Sequence, residues 1–260
     1  MNPNTDGGST VLFGSATSSM LGFAWLTPTE LSTSGPRPNH CGLFLVEKRP
    51  LMAKQLVFID GVGGKRYMRG KLIRYFEQRG YSVHCFDYSA SSQSLPDMKA
   101  QLSAVLKEVA ACGEYHAMGY SFGGVLLRLV LQEPGAAAPP PRRIVLLASP
   151  LASMRLASRL KNWRIYKAMT GECGQLVASA DEMAKIPFPP VPTACIYGIW
   201  PWLGALGIFA GFRLPHDGMV TKEEAAPEKF QFAAPISASH AFIPAHPSAL
   251  AVAHGWFNGS

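Results

Sequence analysis

Glu114-Tyr-His-Ala-Met-Gly-Tyr-Ser-Phe-Gly-Gly-Val-Leu-Leu-Arg-Leu-Val-Leu131 passes from a strand pattern to a helix pattern within one turn. Residues 114–120 read as a short buried strand, and Gly124 to Leu131 as an almost wholly apolar helix. Between them lies Gly119-Tyr-Ser-Phe-Gly123, a G-x-S-x-G pentapeptide. A strand-to-helix turn this sharp holds its serine in a strained conformation and exposes the hydroxyl at the end of the sheet. Small flanking residues let the helix pass close by, and the helix N-terminus favours negative charge developing beside it. A chance serine in a glycine-rich turn is the competing reading, but it needs neither the strand nor the helix.

Outward from this turn, strand and helix alternate. Gln55-Leu-Val-Phe-Ile-Asp60 is a β-branched and aromatic run that ends in glycines. The next helix presents Met68, Leu72, Ile73 and Phe76 on one face with arginines opposite, and stops at Gly80. Residues 82–88 form the next strand. A helix then starts at Ser94 as N-cap, with Pro96 in its first turn, Asp97 three residues after the cap, and a stripe of Met98, Leu102, Val105, Leu106 and Val109. Further strands are expected at 143–148, 193–197 and 229–236. Alternation of this length implies right-handed βαβ units and a mostly parallel sheet covered on both faces, an α/β fold in one domain over residues 51–260. Sites in such sheets gather at the carboxyl ends of the strands.

Composition sets the limits. The chain has 260 residues, 48% hydrophobic and 16% charged, which is the profile of a folded globular chain. Its five cysteines are scattered without any C-x-x-C, which argues against a disulfide scaffold or zinc ribbon and leads us to expect a reducing, cytoplasmic setting. Net charge is +7, yet no basic run is interleaved with aromatics, so nucleic-acid binding is not expected. Before Arg37 there is no basic residue, so Val11 to Leu26 lacks the positive flank of a signal peptide. Met52 begins a natural start for a compact domain, and residues 1–50 are expected to be a poorly ordered extension, upstream of the true start. Pro192 to Phe212 is uncharged over the length of a spanning helix, but Pro201 and its glycines favour a buried strand followed by an apolar loop over an integral span.

A serine hydroxyl is a weak nucleophile and needs a base held by an acid, which in this kind of turn follow it as Asp or Glu and then His. His240 lies in a loop directly after the last strand, where a base would project over the strand ends. His246 and His254 belong to the final helix, and His216 is adjacent to the best acid. Asp217, in Leu214-Pro-His-Asp-Gly-Met-Val220, is that acid, against the alternative of a plain turn aspartate before glycine. Glu224 is instead the capping-box partner of Thr221. The glycine loop Asp60-Gly-Val-Gly-Gly64 follows the first strand and supplies a main-chain donor, so the amides of Val62 and Phe122 are the expected oxyanion hole. The same loop lacks Gly-Lys-Ser/Thr and G-x-G-x-x-G spacing, which removes a phosphate cradle.

With these residues in place, the chain from Gln55 to Phe257 resembles the α/β-hydrolase superfamily, and within it small bacterial esterases and triacylglycerol lipases with a minimal or absent cap. The glycine loop, the Gly-Tyr-Ser-Phe-Gly-Gly turn, Asp-Gly-Met-Val and the His240 loop fall in that family's order. The resemblance implies Ser121, Asp217 and His240 as a triad, with no metal or organic cofactor. It departs at Asp60-Gly61, where the family usually has His-Gly, and at Tyr120, where histidine is frequent.

The expected activity is hydrolysis of a small-molecule carboxylic ester with a hydrophobic acyl group. A thioesterase or amidase on the same residues, and a non-catalytic binding protein of the same fold, are the rivals. Trp200 to Phe209 reads either as an acyl-chain wall or as ordinary packing. Arg155 to Lys167, with Leu156, Leu160 and Trp163 on one side, reads either as a peripheral lipid interface or as a solvated helix covering the sheet.

Overall fold

In the computed structural model the described residues are 53–64, 66–137, 139–201, 209–227 and 232–259. The extension at 1–50, most of the apolar loop after Trp200, and the start of the expected strand at 229 lie outside them.

Six parallel strands form one sheet in the order β2-β1-β3-β4-β5-β6. They are β1 (Lys54–Ile59), β2 (Tyr81–Phe86), β3 (Tyr115–Tyr120), β4 (Ile144–Leu147), β5 (Thr193–Gly198) and β6 (Ala233–Ile236). The inner strands are buried along nearly their whole length, which is why they read as continuous apolar runs rather than alternating ones. Pro235 sits in β6, an edge strand where the lost amide has no outer neighbour to serve.

Successive strand residues feed opposite faces. Val57 and Ile59 pack with Met98, Leu102, Leu106 and Leu126, whereas Leu56 and Phe58 pack in the cluster that holds Leu72, Phe76 and Phe257. The first cluster is closed by α2 (Leu95–Ala111) and α3 (Phe122–Leu131), the second by α1 (Arg66–Glu77) and the C-terminal helix α8 (Pro247–Asn258). Ser94 caps α2 through its Oγ, which accepts the Asp97 amide at 3.2 Å. The chain leaves β1 toward β2 and returns past it to β3, so the topological switch, the place where sheets of this kind carry their sites, lies between β1 and β3.

Two expectations need correction. Arg69 of α1 does not point to solvent. It is buried and ion-paired with Asp60 and Asp87, because its helix position faces the carboxyl ends of β1 and β2. The basic segment 155–167 is not one helix but α4 (Arg155–Leu160) and the start of α5 (Arg164–Ala178), broken at Lys161–Trp163. Asn162, a residue that competes for backbone hydrogen bonds, stands in the break. A short α6 (Ala180–Ala184) follows, and α7 (Lys222–Ala225) carries the Thr221–Glu224 capping box.

Candidate active site

Ser121 occupies the turn between β3 and α3 with φ 52° and ψ −126°, a left-handed conformation that a residue with a Cβ adopts only under constraint. The constraint is close packing of glycines. A Cβ on Gly123 would lie 2.4 Å from the carbonyl oxygens of both Ile59 and Asp60, and one on Gly119 would lie 2.4 Å from the Gly124 Cα. The absence of these side chains lets α3 run against β1, with the Ser121 amide tied to the Leu147 carbonyl at 2.9 Å.

His240 follows β6 in a loop whose backbone is held on both sides. Its amide donates to the Asp217 carbonyl at 2.9 Å, and its own carbonyl accepts the Tyr120 hydroxyl at 2.8 Å. Asp217 lies in the loop between β5 and α7. Its Oδ1 accepts the amides of Met219 (2.9 Å) and Val220 (2.7 Å), so the aspartate also builds its own turn. Gly198 lets this loop meet the His240 loop, since a Cβ there would lie 2.4 Å from the Ala238 carbonyl oxygen and 2.7 Å from the Asp217 Cβ.

The structure thus brings Ser121, His240 and Asp217 into one hydrogen-bonded chain. His240 Nδ1 is 2.7 Å from Asp217 Oδ2, and His240 Nε2 is 3.0 Å from Ser121 Oγ. With the carboxylate accepting, Nδ1 carries the proton and the Nε2 lone pair faces the serine hydroxyl. Asp217 and His240 are both buried, so this contact is sheltered from competing water. His216 is turned to a different task. Its Nδ1 accepts the Gly218 amide at 3.1 Å, its ring packs edge-on against Phe212, and burial pushes its pKa down.

Val62 lies in the turn after β1, closed by Gly63 at φ 72°, and this turn abuts the serine: a Cβ on Gly61 would come within 3.0 Å of the Ser121 Cβ. Phe122 opens α3, so its amide is among those that helix geometry leaves without an intrahelical acceptor. Beside the base loop, a cavity of about 210 Å³ is lined by Trp200, Ala238, Ser239, Phe242 and His246. Among the described residues no group of three or more His, Cys, Asp or Glu side chains converges as a metal centre would.

No protein-family model matches the chain, and no curated protein matches it by sequence. Solved structures do match. The mature form of a Bacillus licheniformis lipase superposes with a TM-score of 0.60 at 19% identity, over 78% of this chain and 92% of the lipase. The esterase domain of a Rhodothermus marinus protein gives 0.50 at 14% identity, over 81% and 88% of the two chains. Tomato methylketone synthase I, complexed with 2-tridecanone, gives 0.52 at 12% identity, over 80% and 98%. The chain has the α/β-hydrolase fold.

Within that fold, two side chains near the site carried no sequence signal of their role. Tyr120, in place of the frequent histidine, ties the nucleophile turn to the base loop through its hydroxyl. Asp60, in place of the usual histidine after β1, is buried and holds the Gly61 amide through Oδ1 at 3.0 Å. Among the described residues, Cys85, Cys112, Cys173 and Cys195 are free thiols, and no helix is long and apolar enough to cross a membrane.

Proposed function

We propose that the chain is a serine hydrolase that cleaves carboxylic esters through an acyl-enzyme. Ser121 Oγ attacks the ester carbonyl while His240 Nε2 takes its proton, and Asp217 orients the ring and stabilises the imidazolium. The amides of Val62 and Phe122 hold the tetrahedral oxyanion. His240 then returns the proton to the leaving alcohol, the acyl group staying on Ser121. A water activated by the same nitrogen releases the acid and restores the serine. The observation that carries this reading is the Ser121–His240 contact of 3.0 Å on a serine with φ 52° at the topological switch of the sheet.

A hydrophobic acyl group is favoured by the apolar rim at this end of the sheet. Trp163, which caps α5, and Ile165 and Met169 on it are 55%, 74% and 66% exposed, and Trp163 packs against the Phe209 ring. Arg159, Lys161, Arg164 and Lys167 flank them, a combination that suits a peripheral, anionic lipid surface better than a covering helix does. Turnover of p-nitrophenyl acetate, butyrate and laurate, with matched thioester and amide substrates, tests the proposal. Ester cleavage faster on the longer chains is expected; faster thioester or amide cleavage would replace it with the corresponding rival. Partition of the protein onto phosphatidylglycerol vesicles, reduced by Trp163→Ser with Ile165→Ser, is expected for the lipid surface.

A further inference from the structure

A buried carboxylate stands where this reading can least tolerate one. Asp60 directly follows β1, at the start of the glycine turn, and each of its oxygens has a partner: Oδ1 accepts the Gly61 amide at 3.0 Å and Oδ2 accepts Arg69 Nη2 at 2.7 Å. The turn wraps the carboxylate closely, since a Cβ on Gly64 would lie 2.9 Å from Asp60 Oδ2. Arg69 then reaches across to Asp87 at the end of β2, where Nη1 donates to Oδ2 at 3.0 Å and Nη2 also pairs with Oδ1. Asp87 is partly solvated, whereas Asp60 and Arg69 are buried. Burial opposes the charge on Arg69, but its hydrogen bonds to Asp87 and Asp60 outweigh that and raise its pKa.

An unneutralised Asp60 would repel the negative charge that the neighbouring Val62 amide is assigned to stabilise, and the repulsion would be felt most where water is excluded. We propose that Arg69 is a positioning residue for the reaction: it neutralises Asp60 and clamps it so that the Gly61–Gly64 turn presents its amide to the oxyanion. The inference rests on the ester-hydrolase reading above. It separates charge from scaffolding, because the carboxylate's link to the Gly61 amide survives in an asparagine while its charge does not.

The test uses the full chain with a p-nitrophenyl ester and a trifluoromethyl ketone, which forms a tetrahedral oxyanion on an active serine. Arg69→Met is expected to lower kcat by roughly 10²–10³-fold with little change in KM, and to weaken the ketone in parallel. Adding Asp60→Asn to Arg69→Met removes the buried one of the two stranded charges, leaving that of the partly solvated Asp87, and is expected to restore kcat at least about tenfold, a gain that a purely structural clamp would not give. If Arg69→Met does not fold by circular dichroism, Arg69→Lys, which keeps a charge but cannot span both carboxylates, carries the test with an expected loss of about tenfold. An active wild type whose folded Arg69 variants stay within twofold in kcat, or a double variant no better than Arg69→Met, overturns the inference alone. A folded wild type with neither ester turnover nor reaction at Ser121 overturns the hydrolase reading and this one with it.

Discussion

Replacing Asp217 by asparagine leaves the side chain's shape unchanged, yet the donors around it decide which way the new amide faces. Oδ1 accepts two backbone amides, Met219 at 2.9 Å and Val220 at 2.7 Å, so the oxygen of an asparagine must stay there. Its NH₂ group therefore takes the Oδ2 position, 2.7 Å from His240 Nδ1, and must donate where the carboxylate accepted. The imidazole answers by moving its proton to Nε2, which then points a hydrogen at Ser121 Oγ instead of a lone pair. A base in the wrong tautomer cannot take the serine proton, and the same change in a serine protease costs about 10⁴ in kcat, or about 5.5 kcal/mol of barrier. We expect a kcat loss of about that size in Asp217→Asn, a KM little changed and a melting temperature close to wild type, because every hydrogen bond of the turn is retained. Steady-state hydrolysis of a p-nitrophenyl ester, with thermal melting on the same preparations, reads all three. A folded Asp217→Asn within tenfold of the wild-type kcat would mean that the Asp217 carboxylate does not set the imidazole tautomer.

Gly123→Ala places a methyl group 2.4 Å from two main-chain carbonyl oxygens, and a loss of at least about 3 kcal/mol or failure to fold is expected from thermal melting; a loss under about 1 kcal/mol would show that α3 can move off β1 freely. His116 is buried, stacks on Phe257 at 4.6 Å, and burial lowers its pKa from 6.5 to about 4. The unfolded chain binds that proton near pH 6.5 and the folded chain only near 4, so stability should fall as pH drops through this window, by up to about 3 kcal/mol. His116→Leu should flatten this part of the pH–stability curve, and an unchanged curve would contradict the assignment. Glu224 joins two loops through its carboxylate, accepting the Arg155 amide and the Thr221 amide at 2.9 Å each. Glu224→Ala is expected to cost about 1–3 kcal/mol in denaturant unfolding, and no measurable cost would mean that both amides find other partners.

What the sequence made legible was local. The strands β1, β3, β4 and β5 are short apolar runs because both faces of the sheet are covered, and the turn at Ser121 declares itself through glycines whose positions leave no room for a Cβ. The caps at Ser94 and Thr221 follow from residue type and three-residue spacing. Roles that depend on distant partners left no such trace. Arg69 lies in a helix where arginines suit solvent, and only the meeting of the ends of β1 and β2 turns it inward onto Asp60 and Asp87. Arg128 sits in the otherwise apolar α3, where it is buried and donates to the carbonyls of Pro150, Ile186 and Pro187. Tyr120 bonds a carbonyl 120 residues along the chain, which no periodicity reveals. The break at Lys161–Trp163 was hidden by a helical apolar spacing that continues across it.

Covalent labelling of the purified chain by a fluorophosphonate probe, beside a Ser121→Ala variant shown to be folded, reads whether Ser121 is an activated nucleophile. One labelled site, Ser121, is expected in the wild type and none in the variant. A folded wild type that stays unlabelled, or labelling that persists in Ser121→Ala, would contradict it.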